Sequence, residues 1–191
     1  MRARGLFAAG GGDVDPTTWP HDEFVHAWWV EPGRLLAGEY AGDPDAAHAR
    51  QKVDLLVDAG GRTFVELTTT ADRLEPYDRL VREVADGRRL DLCHISLPIP
   101  DNGVVEDDRY DEVARIIEAG LGRGAVYVHC WGGVGRTGTV IGCVLADEGL
   151  GYDEIIDRLE TLRRGSRKAN RSAPEMPVQH DLLRRRVAAR G

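Results

Sequence analysis

Residues 126–138 constrain the fold of this chain more than any other stretch. They read VYVHCWGGVGRTG, an apolar and β-prone run followed by a cysteine, a glycine-rich loop and an arginine, and an apolar pattern of helical spacing comes directly after them. When a buried strand leads through glycines into a helix, backbone N–H groups and the helix N-terminus point at one spot, and a guanidinium can close the ring. Such a cradle suits a phosphate group.

The rest of the chain alternates strand-like and helix-like patterns before this segment, and only helix-like patterns follow it. A Pro32-Gly33 turn predicts a hairpin, in which Trp28 and Trp29 are expected partly to lie in the core and partly to cover it. Pro44 is predicted as the first residue of the first helix. An α/β domain with a mostly parallel sheet flanked by helices follows from this order. The predicted strands are 27–30, 34–38, 63–67, 92–97 and 125–129, and the other predicted helices are 77–84, 107–121, 136–150, 152–162 and 177–187.

Charge and hydropathy exclude several classes of partner. The net charge of −7 argues against nucleic acid and anionic membrane surfaces, and no apolar run is long enough to span a bilayer. The first ten residues, MRARGLFAAG, are too weakly apolar for a signal peptide, so we expect a cytoplasmic protein. Residues 1–20 show no periodicity and predict a loose arm, which leaves 21–191 as one domain.

The three cysteines are Cys93, Cys130 and Cys143. Their number is odd, their spacing is wide and no Cys-x-x-Cys pair occurs, so they indicate neither a disulfide framework nor a zinc site. We expect reduced thiols, no metal and no cofactor. Whether Cys93 or Cys143 can protect Cys130 by forming a disulfide stays open.

The glycine loop matches two nucleotide-binding fingerprints only in part. Gly133, Gly135 and Gly138 fit G-x-G-x-x-G, but a dinucleotide site needs a further strand after the helix, and no strand pattern occurs down to residue 191. The nucleoside-triphosphate loop G-x-x-x-x-G-K-[ST] would require a glycine in place of Cys130 and a lysine in place of Arg136. Both fingerprints therefore fail.

A nucleophilic thiolate accounts for every distinctive residue of the loop. The helix N-terminus, the inward N–H groups and Arg136 would lower the pKa of the Cys130 thiol, and arginine binds phosphate oxygens through two nitrogens. Thr137 can donate a hydrogen bond to the sulfur, and His129 can fix the loop through backbone carbonyls. The remaining loop residues are expected to hold the phosphate: Trp131, Gly132, Gly133, Val134 and Gly135. The alternative, a buried apolar cysteine, would not need these neighbours.

The pattern His-Cys-x5-Arg-Thr resembles the signature of the cysteine-dependent protein phosphatases, and the small size resembles the dual-specificity, kinase-associated-phosphatase-like group with its bacterial members. This resemblance implies a phosphatase domain over residues 21–191 that hydrolyses phosphate monoesters through a cysteinyl-phosphate intermediate. It implies phosphotyrosine, phosphoserine or phosphothreonine in proteins, or a small phosphate ester, as substrate. We expect a monomer.

The resemblance also implies a carboxylic acid about thirty residues before the cysteine, which protonates the leaving group and then activates water. Asp101, in the segment Pro-Ile-Pro-Asp-Asn-Gly, fits this place, although Asp-Asn-Gly is also a favourable turn. Asp107 and Asp108 are the reserve candidates. Farther on, the segment Ala-Pro-Glu-Met-Pro-Val-Gln resembles a Ser-Pro-Glu-Thr-Pro-x-Gln segment of bacterial relatives, which makes Gln179 a candidate for positioning substrate or water.

A basic run in residues 163–171 either borders the site or forms a solvated loop; its members are Arg163, Arg164, Arg167, Lys168 and Arg171. The loop itself contains no lysine, unlike phosphoinositide-directed relatives, which favours phosphoproteins or another monophosphate ester. Two other classes remain: a non-catalytic phosphate-binding module, and a rhodanese-like sulfurtransferase, which would not need Asp101.

Overall fold

The computed structural model describes residues 18–190, so most of the predicted arm lies outside the described residues. A five-stranded sheet with the order β1-β2-β5-β3-β4 forms the centre. β1 pairs with β2 antiparallel, and all other neighbours are parallel, which confirms the predicted α/β class. The strands are β1 (Ala27–Glu31), β2 (Leu35–Gly38), β3 (Gly61–Glu66), β4 (Cys93–Ser96) and β5 (Ala125–His129).

Between residues 18 and 190, six α-helices cover the two faces of the sheet. Their ends lie within about four residues of the predicted ends, and the first helix begins at Ala46, two residues after Pro44. Its cap is Asp45, whose carboxylate accepts hydrogen bonds from the N–H groups of Ala47 and His48 at 2.8 and 3.3 Å. The helices are α1 (Ala46–Asp58), α2 (Asp78–Arg88), α3 (Asp107–Leu121), α4 (Gly135–Asp147), α5 (Tyr152–Leu162) and α6 (Pro177–Ala188).

The core has one layer on each face of the sheet. Trp28 and Trp29 alternate between these layers and are both buried, so the pair anchors both layers of the hydrophobic core. α4 lies among α3, α5 and α6, and eleven of its thirteen residues are buried. This explains why its sequence is apolar on most sides.

The parallel strands place the functional segment at the carboxyl edge of the sheet. β5 lies between β2 and β3, so the loop after β5 meets the chain that leaves both neighbours. In open α/β sheets, ligands bind at this edge. Among residues 18–190, no helix is both long and apolar enough to cross a membrane.

Candidate active site

The loop between β5 and α4 forms a cradle above Cys130, whose side chain is buried. Within residues 18–190, the N–H groups of residues 131–135 have no hydrogen-bond acceptor, and α4 begins at Gly135 with its positive end toward the same place. Gly133 has φ +72°, and a Cβ there would lie 2.5 Å from the carbonyl carbon of Gly38. Only glycine fits that conformation and that contact.

Arg136 closes the cradle and is held from below. Its guanidinium is 2% exposed and forms a two-pronged pair with Asp72, with Nη2–Oδ1 and Nη1–Oδ2 distances of 2.7 and 2.9 Å. Nη1 also donates to the Ile99 carbonyl at 3.2 Å, and Asp101 Oδ1 lies 3.2 Å from Nη2. The guanidinium is therefore fixed by Asp72, the Ile99 carbonyl and Asp101, and such fixed donors are typical of a preorganised anion site.

Sequence reasoning missed Asp72. It ends a short 3₁₀ turn, Thr70–Asp72, and its carboxylate accepts from the Thr69 N–H and hydroxyl at 2.7 and 3.0 Å. Burial alone would raise the pKa of Asp72, but the bonds from Arg136 and Thr69 lower it below its usual range, so the group is ionised. Thr-x-x-Asp is a weak capping signal, and nothing local in the sequence links it to Arg136.

His129 is fully buried beneath the loop. Nδ1 lies 3.3 Å from the Cys130 carbonyl oxygen, while Nε2 pairs with the Tyr77 hydroxyl. Burial lowers the pKa of His129 to about 4, so the ring is neutral at physiological pH. The neutral imidazole thus contacts a backbone carbonyl of the loop, and its supporting role stays a prediction.

Thr137 differs from its predicted arrangement. Its buried hydroxyl donates to the Gly38 carbonyl at 3.4 Å, and within residues 18–190 it makes no hydrogen bond to the Cys130 sulfur. One hydroxyl carries one hydrogen, so the contact that ties α4 to β2 takes the donor that the thiolate would need.

Asp101 lies on a turn that faces the cradle. The Gly103 N–H donates to the Pro100 carbonyl at 3.1 Å, and Asn102 takes φ +57° between them. The Asp101 side chain is 53% exposed and lines the cavity that holds Cys130 and Arg136. The reserve candidates, by contrast, lie in the first turn of α3 and are not among the residues that line this cavity.

Gln179 connects α6 to that turn. Its buried side-chain oxygen accepts from the N–H groups of Glu175 and Met176 at 3.1 and 3.2 Å, and its nitrogen donates to the Gly103 carbonyl at 3.3 Å. The side chain also lines the cavity. It can therefore fix the position of the Asp101 turn from the cavity wall.

Two residues of the basic run, Lys168 and Arg171, line the cavity that holds Cys130. Arg163 is buried and donates to the carbonyls of Arg171 and Lys168 at 2.6 and 2.7 Å, which folds the segment before α6 around one guanidinium. Lys168 Nζ reaches the Gly132 carbonyl at 2.9 Å and Glu39 at 2.7 Å, and Arg171 pairs with Glu175. Lys168 and Arg171 thus border the site.

The cavity measures about 490 Å³, and its rim carries an aromatic side chain. Trp131 is 58% exposed and stands beside Asp101, whereas the Val134 side chain is fully buried. Gly132 and Gly135 line the cavity, while Gly133 packs against β2. Trp131 is therefore the one large apolar side chain of the loop that can meet a substrate.

All three cysteines are free thiols. Burial raises the pKa of Cys143 to about 12, so this group stays protonated inside the core. Cys93 lies on β4 and lines a different cavity from that of Cys130. Within residues 18–190, no group of three or more His, Cys, Asp or Glu side chains is arranged to hold a metal ion.

Comparison with known proteins places this geometry in context. The model of the PTP-SAK family, described as "Swiss Army Knife protein, DSP-PTPase phosphatase domain", matches residues 25–182. The active form of Tk-PTP is similar at 23% identity over 90% of this chain and 99% of that one, with a TM-score of 0.66. Kinase-associated phosphatase with its catalytic-site cysteine replaced by serine is 19% identical over 86% and 97%, with a TM-score of 0.64. TpbA of P. aeruginosa in complex with pTyr is 22% identical over 93% and 94%, with a TM-score of 0.53.

Proposed function

The chain belongs to the PTP-SAK family of DSP-PTPase phosphatase domains, and from this premise we propose that it hydrolyses phosphate monoesters on protein side chains through a cysteinyl-phosphate intermediate. One observation carries the proposal: Cys130 lies beneath acceptor-free N–H groups at the start of α4, with Arg136 closing the cradle and Asp101 on its rim. A thiolate, a phosphate clamp and an acid are the three groups that this chemistry needs.

The reaction has two displacements at phosphorus. In the first, the Cys130 thiolate forms an S–P bond while the P–O bond to the substrate breaks, and Asp101 gives its proton to the departing oxygen. In the second, Asp101 takes a proton from water, whose oxygen attacks phosphorus and releases the thiolate and inorganic phosphate. The N–H groups and Arg136 stabilise the equatorial oxygens in both steps.

The charges of the cavity support a single phosphate group as the part of the substrate that is bound. Arg136, Lys168 and Arg171 face three carboxylates, which are Glu39, Asp101 and Glu175. Lys168 and Arg171 each pair with one of these carboxylates, so the wall offers little excess positive charge for further phosphates. The exposed indole of Trp131 at the rim suits the apolar part of a phosphorylated side chain.

Hydrolysis of phosphopeptides in the presence of a metal chelator tests the function. We expect release of phosphate from phosphotyrosine, phosphoserine or phosphothreonine peptides with the chelator present, and no sulfur transfer from thiosulfate. Binding of these peptides with no turnover would instead indicate a phosphate-binding module, and thiosulfate sulfurtransferase activity alone would indicate a rhodanese-like protein. Faster turnover of an inositol polyphosphate than of every peptide would contradict the proposed substrate class.

The acid role predicts a dependence on the leaving group. Asp101→Asn removes the proton donor but keeps the turn, so we expect kcat to fall by about 10²-fold or more for alkyl phosphates, which are poor leaving groups. For aryl phosphates with acidic phenols the loss should be at most about tenfold, since these need little protonation. The measurement is kcat across a series of leaving groups.

The matched controls are Asp107→Asn and Asp108→Asn, which remove the same charge from the first turn of α3. Both variants should keep the leaving-group dependence of the unmodified protein. A steep dependence in either of them, with a normal one in Asp101→Asn, would move the acid role to α3.

A further inference from the structure

A second cavity of about 610 Å³ lies between β4, α2 and the chain from residue 68 to 78. Within residues 18–190, it shares no lining residue with the cavity that holds Cys130. Its lining is mixed: Glu66 and His94 are among the polar side chains, and Leu74, Val81 and Leu92 are among the apolar ones. The catalytic steps proposed above use none of these side chains.

The lining includes an ionised carboxylate, that of Glu66. Glu66 Oε2 lies 2.8 Å from His94 Nε2, the Thr68 hydroxyl donates to the other oxygen, and the two paired side chains are only 15% and 13% exposed. Burial alone would raise the pKa of Glu66, but the bonds from His94 and Thr68 lower it below its usual range. A largely buried carboxylate that stays charged in a cavity with some apolar lining favours a ligand that donates hydrogen bonds, carries positive charge and has an apolar part.

The surrounding charges point the same way. Asp78 stands at the rim and is paired with Arg82 at 2.8 Å, and Arg82 itself is 67% exposed. Burial and the negative charges of Glu66, Asp78 and Glu75 together raise the pKa of Tyr40, which lines the cavity. Since Asp78 is paired with Arg82, Glu66 is, among the described residues, the carboxylate of the lining that is not paired with an arginine or lysine.

The wall of this cavity also carries the supports of the catalytic loop. Thr69 lines the cavity and binds Asp72, which in turn holds Arg136. Tyr77 lines it as well, and its hydroxyl pairs with His129 directly before Cys130. A ligand that contacts the chain from residue 68 to 78 would therefore act on both supports.

We propose that this second cavity binds a small organic cation, an amine or amidine on an apolar body, and that its occupancy is coupled to phosphate binding at Cys130. The cationic group donates hydrogen bonds to Glu66, and the apolar body packs on Leu74, Val81 and Leu92. The coupling acts through the chain from residue 68 to 78.

Titration with 2-phenylethylamine tests the site, with 2-phenylethanol as the neutral probe of the same size. We expect the amine to bind at least about tenfold more tightly than the alcohol, because a charged hydrogen bond to the carboxylate is lost with the alcohol. Amide chemical shifts should change in β4, α2 and residues 68–78. Equal affinities for the two probes, or shifts confined to the loop after β5, would overturn the assignment.

Three variants test whether Glu66 and this cavity bind the amine. Glu66→Gln should weaken amine binding by about tenfold or more, whereas Glu83→Gln, which removes an exposed carboxylate on α2, should change it by less than about twofold. Leu92→Trp keeps Glu66 and fills the cavity, so it should also abolish binding even if Glu66→Gln proves unstable. Unchanged affinity in Leu92→Trp would rule the cavity out.

Coupling is measured as a reciprocal effect. Saturating inorganic phosphate should change the Kd of 2-phenylethylamine by about fivefold, and saturating amine should change the Kd of phosphate by the same factor. The same Kd with and without phosphate would show that the two cavities are independent and would overturn the coupling. The phosphopeptide assay is separate, so failure here leaves the proposed function intact.

Discussion

Replacing Cys130 with serine is expected to lower kcat for an aryl phosphate by at least about 10⁴-fold, because a serine hydroxyl without an adjacent base is a far weaker nucleophile than a thiolate. The substitution changes one buried atom and leaves the N–H groups, Arg136 and α4 in place. Binding of inorganic phosphate should therefore persist within about threefold of the unmodified protein. Steady-state turnover and a phosphate titration of the same preparation measure the two quantities.

Cys93→Ser is the matched control for this experiment. Cys93 is a half-buried thiol on β4 that does not line the cavity of Cys130, so turnover in this variant should stay within about twofold. Full activity in Cys130→Ser would remove the covalent mechanism. Loss of phosphate binding together with activity would indicate instead that the serine had damaged the cradle.

Removing the charge of Asp72 is expected to have the second-largest effect. In Asp72→Asn the 2%-exposed guanidinium of Arg136 loses its two-pronged partner, and breaking a buried ion pair on one side typically destabilises a protein by about 3–5 kcal/mol. Among the described residues, the half-exposed Asp101 and the Ile99 carbonyl are then the remaining partners of Arg136. We expect the Kd of phosphate to rise by about tenfold or more, because the clamp is no longer oriented.

The readouts for Asp72 are the free energy of unfolding in urea and the Kd of inorganic phosphate at a temperature where the variant is folded. Asp181→Asn breaks an exposed pair with Arg184 and should cost less than about 1 kcal/mol, with no change in phosphate binding. If folded Asp72→Asn bound phosphate as tightly as the unmodified chain, Asp72 would have no part in positioning Arg136.

Most of the fold follows from local patterns of the sequence. The strand 125–129 and the helices 107–121 and 152–162 are predicted with the observed ends, because their apolar spacing is regular and glycine or proline stands near their limits. The first helix is the instructive exception. Pro44 fits the first helical position, but the Asp45 carboxylate is the group that caps the helix, and composition alone does not distinguish adjacent candidates.

In the candidate site, too, residues that are close in the sequence are predicted and contacts between distant segments are not. Cys130 and Arg136 share one loop, so their spacing was enough to predict a cradle. Asp72 stands far from Arg136 in the sequence. The parallel pairing of β3 with β5 brings the segments that follow these two strands to the same edge of the sheet. The Thr137 hydroxyl illustrates a different limit, since its direction depends on the Gly38 carbonyl of a neighbouring strand.

The basic run shows what three-dimensional structure adds to a charge pattern. Its five members are equivalent in the sequence, yet one of them, Arg163, is buried and binds two carbonyls of its own loop. That contact turns Lys168 and Arg171 toward the cavity, while Arg164 lies elsewhere. A buried arginine among exposed ones has no signature in a run of like charges.

Trapping of the cysteinyl-phosphate intermediate is the decisive experiment on the mechanism. The protein is mixed with an aryl phosphate whose phenol leaves readily, quenched within milliseconds and digested, and the peptide that contains Cys130 is examined by mass spectrometry. We expect one added phosphoryl group on Cys130, and more of it in Asp101→Asn if the same carboxylate activates the water of the second step. Turnover with no phosphoryl group on that cysteine at any quench time, in either protein, would contradict the mechanism.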